Sequence, residues 1–401
     1  MADNKDKKVL NVPALRFPEF TEGWATKSIS DLATVIGGGT PDTTVKSYWN
    51  GDIQWFTPSE IGKNKYVDLS LRTITEEGLN NSSAKLLPPY TILLSSRATV
   101  GECSIALQEC ATNQGFQSLI AKNCDMDFLY YLIQTKKKEL IRKACGSTFL
   151  EISANEIRKI HTYVPSINEQ KKISVLLSLI DKRIATQNKI IEKYESLIQA
   201  IIYKAKMDGI NKGTWRRIDL CKILQERNEK NVNGRTICSV SVSQGVVNQV
   251  EYLGRSFAAK QTSHYNIVKY GDIVYTKSPT GNFPYGIIKR SNIREDVAVS
   301  PLYGVYIPAS DSIGVILHFY FMRSSNAFNY LHPLIQKGAK NTINITNGRF
   351  LENSVPLPIS RSETNTIAGI LKITQTKIEI EKNLLQSYTK EKKYLLHQMF
   401  I

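Results

Sequence analysis

The chain is 401 residues long and carries 52 Lys and Arg against 36 Asp and Glu, a net charge of +16 with a pI near 9.4. That length accommodates two domains with cores of their own. No apolar run approaches the ~20 residues of a membrane span, and the polar start MADNKDKK lacks the apolar core of a secretory signal, so the expected compartment is the cytoplasm.

Residues 1–12 read as a disordered tail, and Phe17, Phe20 and Trp24 open a first globular region over 13–165. Short β runs are expected at Ile53–Phe56, Thr91–Ser95, Ser104–Leu107 and Gln117–Ile120, with a helix near Phe128–Arg142. A long helix follows over 166–208. Its apolar residues Ile173, Leu177, Ile180, Ile184, Ile191, Tyr194, Ile198, Ile201 and Ala205 step by threes and fours, with Gln187 in the gap. This is a heptad seam for a partner helix. Glu169 to Lys206 alone would make a rod of roughly 57 Å. Ser166, three before Glu169, has the spacing of a capping box.

Asp208-Gly209 and Lys212-Gly213 mark a break, and a second globular region runs over 209–358. Its expected strands are Thr236–Val242, Asp272–Thr276, Gly286–Lys289 and Tyr303–Ile307, with a helix near Ile316–Ser324. The last stretch, 359–401, repeats the long helix 194 residues on. Ile367, Leu371, Ile378, Leu385, Tyr388, Leu395 and Met399 take the seam positions, and Ser360 with Glu363 repeats the capping box. Thr374, Glu381 and Lys392 depart from the stripe. The order head, helix, head, helix is an internal duplication.

The search for chemistry finds little. Leu87-Pro88-Pro89-Tyr90 has Leu87 where an amino-methyltransferase needs a side-chain acceptor. Pro41-Asp42 with Lys46 lacks the second carboxylate of a nuclease core, because Thr44 stands there. Gly37-Gly38-Gly39-Thr40-Pro41 lacks the Lys-Ser/Thr of a P-loop; it is a tight turn or a backbone cradle for phosphate. The five histidines show no metal-ligand spacing. The six cysteines (Cys103, Cys110, Cys124, Cys145, Cys221, Cys238) form no CxxC pair or zinc-finger spacing and read as reduced, mostly buried thiols. The stretches Glu169–Lys206 and Ser360–Ile401 carry +7 of the net charge, which leaves +9 on the rest of the chain, a balance that suits a polyanion such as nucleic acid. Lys63, Lys65, Arg97, Lys260, Lys269, Lys277, Lys289 and Arg290 lie among Tyr, Asn, Gln, Ser and Thr, side chains that hold phosphates and read base edges.

This order of parts, with the phrases Leu15-Arg16-Phe17-Pro18-Glu19-Phe20…Trp24, Gly38-Gly39-Thr40-Pro41, Asn113-Gln114-Gly115-Phe116 and Pro165…Glu169-Gln170…Ile173, resembles the specificity subunit of type I restriction–modification systems over Pro13 to Ile401. The second helix departs from the pattern, with Glu363-Thr364 where the first has Glu169-Gln170. The resemblance implies an α+β fold: two α/β target recognition domains separated and followed by two long helices, packed as an antiparallel coiled coil with an internal pseudo-twofold repeat. It implies that each head reads half of a bipartite DNA site, and that the helices set the spacing and dock two methyltransferase subunits. Two restriction (translocase–nuclease) subunits complete the complex. The resemblance further implies that this chain has no catalysis and no cofactor of its own, with S-adenosylmethionine held on the methyltransferase subunits. The expected DNA contacts are Gly39, Thr40, Lys46, Lys63, Lys65, Ser95 and Arg97 in the first head, and Ser241, Gln244, Lys277, Ser278 and Tyr285 in the second. The expected partner contacts are Glu169, Gln170, Ile190, Tyr203, Ile370 and Ile380; Ile202 and Leu396 also fall outside the seam. Two rival readings are a stand-alone two-headed DNA-binding regulator and a protein-binding scaffold.

Overall fold

The computed structural model describes residues 11–146, 150–255, 258, 261–337 and 343–401; most of the expected N-terminal tail, and Lys260, lie outside them. The chain divides into two units. One takes the residues up to Gln187 together with Leu384–Ile401, and the other takes Asn188–Asn383. Each unit therefore contains one head and part of both long helices.

In the first unit, strand Ala25–Ser28 pairs antiparallel with His161–Val164, which leads straight into the central helix, Ile167–Asn211. Between them stands a five-stranded sheet in the order Ala33–Gly37, Gln117–Ala121, Ile92–Leu94, Cys103–Ala106, Tyr66–Val67. Strands Ile92–Leu94 and Cys103–Ala106, which fall on the expected runs Thr91–Ser95 and Ser104–Leu107, are short and wholly buried, so they read as apolar runs without alternation. A smaller sheet sets Trp49–Phe56 between Arg72–Ile74 and Cys110–Thr112. The expected helix near Phe128–Arg142 is two helices, Met126–Thr135 and Lys137–Lys143, broken at Lys136. The first buries Phe128, Leu129, Tyr131 and Leu132 in one core with Leu94, Ile105, Leu119, Ile173, Leu177, Met399 and Phe400. Burying each such aliphatic or aromatic side chain stabilises by about 1.5–3 kcal/mol.

The second unit repeats this plan. Trp215–Asp219 pairs antiparallel with Ser354–Pro358, which precedes the C-terminal helix, Arg361–Gln398. Its main sheet runs Leu224–Glu226, Gly304–Pro308, Ile273–Tyr275, Ile288–Arg290, matching strand for strand the first four of the other head. Val268, Val274, Val297, Val299 and Val305 form one core, and Tyr275 and Tyr306 both stack on Phe350.

The expected seam is mostly inside. Ile173, Leu177, Ile180, Ile191, Ile198, Ile367, Leu371 and Ile378 are buried, and so is Gln187. Thr374 is accommodated because its hydroxyl donates to the Ile370 carbonyl, and Lys392 because it pairs with Asp181 at 2.7 Å. In the first unit Asp181 meets Lys392 and Arg183 lies over Tyr388; in the second Glu195 meets Lys382. One number rises as the other falls, so the helices run antiparallel. Asp208-Gly209 does not break the helix. Gly209 lies inside it because a Cβ there would overlap the Trp215 indole, and the chain turns at Gly213, where φ is +69°.

The Ser-x-x-Glu spacings are not capping boxes. Glu169 N–H reaches Ser166 Oγ only at 3.5 Å, and the Glu169 carboxylate turns away to accept from Arg16 at 2.7 and 2.8 Å and from Trp24 Nε1 at 3.3 Å. Glu363 likewise accepts from Trp215 Nε1 at 2.7 Å. The same Trp–Glu bond thus ties the opening of each head to the start of the helix that follows it. Of the cysteines, all free, Cys103, Cys110 and Cys238 are buried, whereas Cys145 and Cys221 are exposed.

Candidate nucleic-acid interface and docking faces

The Gly-rich phrase of the first head is a joint. A Cβ on Gly38 would overlap the Asn113 carbonyl, and one on Gly39 would overlap the backbone at Ser83 and Ala84. The Gly39 N–H donates to Thr112 O and so is not available to a phosphate, and the Gly39 carbonyl accepts from Trp55 Nε1. Thr40 Oγ1 donates to Gln114 Oε1, the Ser96 N–H donates to Gly115 O, and Gly115 packs against Pro58 and Arg97. Two phrases about 70 residues apart in sequence are thereby brought together beside Arg97.

Arg97 itself is half-exposed. Its Nη2 pairs with Glu151 at 3.0 Å, and its Nε is buried with no hydrogen-bond partner among the described residues. It opens a turn in which Ala98 has φ +61° and Gly101 φ +85°, so the backbone is strained next to a cation at the surface. Lys46 and Lys63 are exposed. Lys65 and Ser95 are not surface contacts. Lys65 Nζ reaches Asp127 at 2.6 Å, Ser178 Oγ at 2.7 Å and Tyr131 Oη at 3.1 Å, and so fastens a head loop to the central helix. Ser95 is fully buried and donates to Arg97 O, shaping the turn. The Tyr131 hydroxyl donates to Asp181 at 2.6 Å, and burial raises its pKa well above the ordinary range.

In the second head, strands Cys238–Ser241 and Gly245–Asn248 form a hairpin whose tip exposes Ser243 and Gln244. Ser241 is buried and its Oγ donates to Tyr252 Oη at 3.0 Å, so it supports the hairpin. Lys277 is half-buried, which lowers its pKa against the opposing pull of Glu226. Ser278 is exposed on the loop beyond, and Tyr285 stands beside Phe328 and His332, which stack on each other at 15°.

Of the expected partner contacts, Tyr203, Ile370 and Ile380 are exposed and Ile190 is half-exposed. Glu169 and Gln170 are buried. Gln170 Oε1 accepts from the Asp125 N–H at 2.9 Å and its Nε2 donates to Pro165 O, joining head to helix. Ile202 is buried and so offers no face to a partner, whereas Leu396 is half-buried and packs on the first core. Tyr203 lies under Arg323 and Lys206.

Sequence reasoning missed Arg72, whose guanidinium lies 3.5 Å over Trp49 beside the exposed Leu69 and Leu71. It also missed the Phe328–His332 stack. Nothing in the spacing of 49, 55 and 72 announces the first; the pair forms only because their strands are neighbours. Among the described residues, no helix is long and apolar enough to cross a membrane.

Residues 21–196 match the model of the type I restriction modification DNA specificity domain. The match covers the first head and the first two-thirds of the central helix. Among relatives, the type I restriction enzyme MjaIX specificity subunit of Methanocaldococcus jannaschii is 40% identical over 178 residues, 42% of this chain and 41% of that one. The EcoR124I/EcoR124II specificity subunit of Escherichia coli is 30% identical over 189 residues, 44% of this chain and 46% of that one. The aligned stretches thus cover less than half of each relative. The crystal structure of a type I restriction–modification S subunit from M. genitalium aligns with 97% of this chain and 99% of its own length, at a TM-score of 0.59 and 15% identity. That likeness is one of fold, and it extends through the second head, beyond the specificity-domain match.

Proposed function

We propose that this chain is the DNA sequence-recognition subunit of a type I restriction–modification complex. Each head reads one half of a bipartite double-stranded target, and the paired helices hold the heads at a set spacing and dock methyltransferase subunits. Two such subunits, with S-adenosylmethionine bound to them, methylate an adenine in each half-site after flipping it out of the stack. Two translocase–nuclease subunits join when the complex cleaves, and this chain contributes recognition without catalysis in the cytoplasm. The observation that carries the reading is the specificity-domain match over the first head, together with the recurrence of the same four-strand order in the second. A protein with two copies of one reading unit suits a site with two halves. The net charge of +16 is consistent with a polyanionic partner.

Within this reading the DNA-facing set narrows to Lys46, Lys63 and Arg97 in the first head, and Gln244, Lys277, Ser278 and Tyr285 in the second. The exposed Ile370, Ile380 and Tyr203 are the partner-facing set. The test is co-expression with a methyltransferase subunit encoded beside this chain, in an unmethylated host, followed by base-resolved mapping of adenine methylation. One split motif with a fixed unspecific spacer is the expected result, and exchanging either head should change one half only. Specific DNA binding by the purified chain, with no methylation motif when the methyltransferase is stable, would instead favour a stand-alone regulator.

A further inference from the structure

The edge strand of the second head, Ile288–Arg290, contains a charge that no described residue balances. Lys289 is 3% exposed, and its ammonium makes no hydrogen bond or ion pair among the described residues. Burial alone pushes its pKa down to about 8. An isolated ammonium in such a place is costly unless something pairs with it. The fold does not require it there. Lys289 stands opposite Val274 as Ser104 stands opposite Leu93 in the first head, and Ser104 is satisfied by Asn64 O and the Gly62 N–H.

Lys289 lines a cavity of about 90 Å³ within the second unit. On the measure by which one water needs about 10–15 Å³, that is room for an ion of about five heavy atoms. Its walls come from the hairpin tip at Ser243 and Gln244, from His318, and from Ile198 and Ile378 of the long helices. The other charges on these walls are already matched. Lys382 pairs with Glu195 at 2.8 Å, and Arg290 pairs with Asp311, which also holds Lys372. His318 accepts from the Arg290 N–H through Nδ1 at 3.1 Å, and burial with two neighbouring cations holds it neutral, its pKa lowered to about 3. Its proton is therefore on Nε2, which donates to no described residue.

We infer that this cavity is a binding site for a small tetrahedral oxyanion of the phosphate class, held by Lys289 Nζ and His318 Nε2–H and closed by the hairpin tip. An ion there receives one full charge and at least two donors, the combination that makes charge-assisted hydrogen bonds strong. It also bridges the hairpin, the edge strand and the helix side of the cavity, so its binding stiffens the loop that carries Gln244. The ion is either free phosphate or a backbone phosphate of bound DNA, and the chemistry of the site is common to both.

The test uses the full chain and inorganic phosphate, with chloride keeping the ionic strength constant. Equilibrium dialysis against labelled phosphate should find one saturable site per chain, and phosphate tenfold above its dissociation constant should raise the unfolding midpoint by about 3 °C. Lys289→Met, which keeps the volume and removes the charge, should abolish both effects. Lys382→Gln, at an exposed position that does not threaten folding, frees the Glu195 carboxylate to compete for Lys289 and should weaken phosphate at least tenfold. A saturating duplex then separates the sources. Phosphate retained beside DNA marks a free-ion site. Phosphate displaced by DNA, together with weaker duplex binding by Lys289→Met, marks a backbone contact. Absence of a saturable site in the wild-type chain, or equal phosphate retention by Lys289→Met, overturns the inference.

Discussion

The bond network at the start of the central helix gives the sharpest energetic prediction. Replacing Arg16 by Ala removes two charge-assisted hydrogen bonds, at 2.7 and 2.8 Å, from a Glu169 side chain that is 2% exposed. What remains for the carboxylate is Trp24 Nε1 at 3.3 Å. Breaking a buried pair by deleting one partner costs about 3–5 kcal/mol. Arg16 is 14% exposed, so some water enters the vacated space and the lower figure applies. For a unit of this size ~3 kcal/mol lowers the midpoint by about 6–12 °C. Calorimetry of the full chain should show the first unit's transition falling by that much while the second unit's stays in place. The double variant Arg16→Met with Glu169→Met should recover most of the loss, because replacing both charges leaves nothing buried and unpaired. Glu363→Gln in the second unit should cost about 1 kcal/mol or less, since its half-exposed carboxylate serves one neutral donor. A loss below ~1 kcal/mol for Arg16→Ala, or additive losses in the double variant, would refute the argument that this pair is buried and coupled.

Three further predictions separate surface from interior. Arg97→Ala should weaken DNA binding by the assembled complex and flatten its log–log salt slope by about one unit, whereas Lys65→Met should destabilise the first unit and leave the slope unchanged; titrations at several salt concentrations distinguish them, and an unchanged slope for Arg97→Ala removes it from the interface. Gly286 has φ +102° and a Cβ there would overlap Thr276 O, so Gly286→Ala should cost more than ~2 kcal/mol in urea unfolding, against about 1 kcal/mol or less for Gly281→Ala, where φ is +51° and the space is open. Because the folded pKa of Lys289 lies near 8 and the unfolded value near 10.5, the unfolded chain binds more protons between those limits. Stability should therefore rise with pH across that window, by up to about 3 kcal/mol. The Lys289→Met variant should lack that rise when stability is measured by chemical denaturation from pH 7.5 to 10.5, and an identical slope in both proteins would sink the assignment.

How much of this was legible beforehand depends on what each signal rests on. The seam was readable because helix periodicity is local: residues three and four apart face the same partner wherever the rest of the chain goes. The four-strand order common to both heads was not, since strands such as Ile92–Leu94 and Ile273–Tyr275 are three residues long and buried on both faces. The runs themselves were expected, but they carry no period that points to a partner, and their neighbours come from distant sequence. The misplaced site residues failed for one shared reason. Lys65, Ser95, Glu169 and Gln170 are polar and sit at loop or helix ends, where composition alone assigns them to the surface. Each instead meets a partner that only the fold supplies: Asp127 for Lys65, the Arg97 carbonyl for Ser95, Arg16 and Trp24 for Glu169, the Asp125 N–H for Gln170.

The phrases that carried the resemblance prove to be joints of the same sort. Arg16 and Trp24 clasp Glu169; Gly38 and Gly39 let the backbone at Asn113 and Ala84 come close; Asn113 Oδ1 accepts from the Gly115 N–H, and Gln114 holds Thr40. Such residues are constrained by geometry inside the chain and can serve heads that read different bases. The exposed side chains proposed above to face DNA, such as Lys63, Gln244 and Ser278, have no such internal obligation and so no recognisable phrase around them. The likeness to the specificity domain was therefore legible from the residues that hold the frame, and on the function proposed above the choice of DNA sequence must be sought in the residues between them.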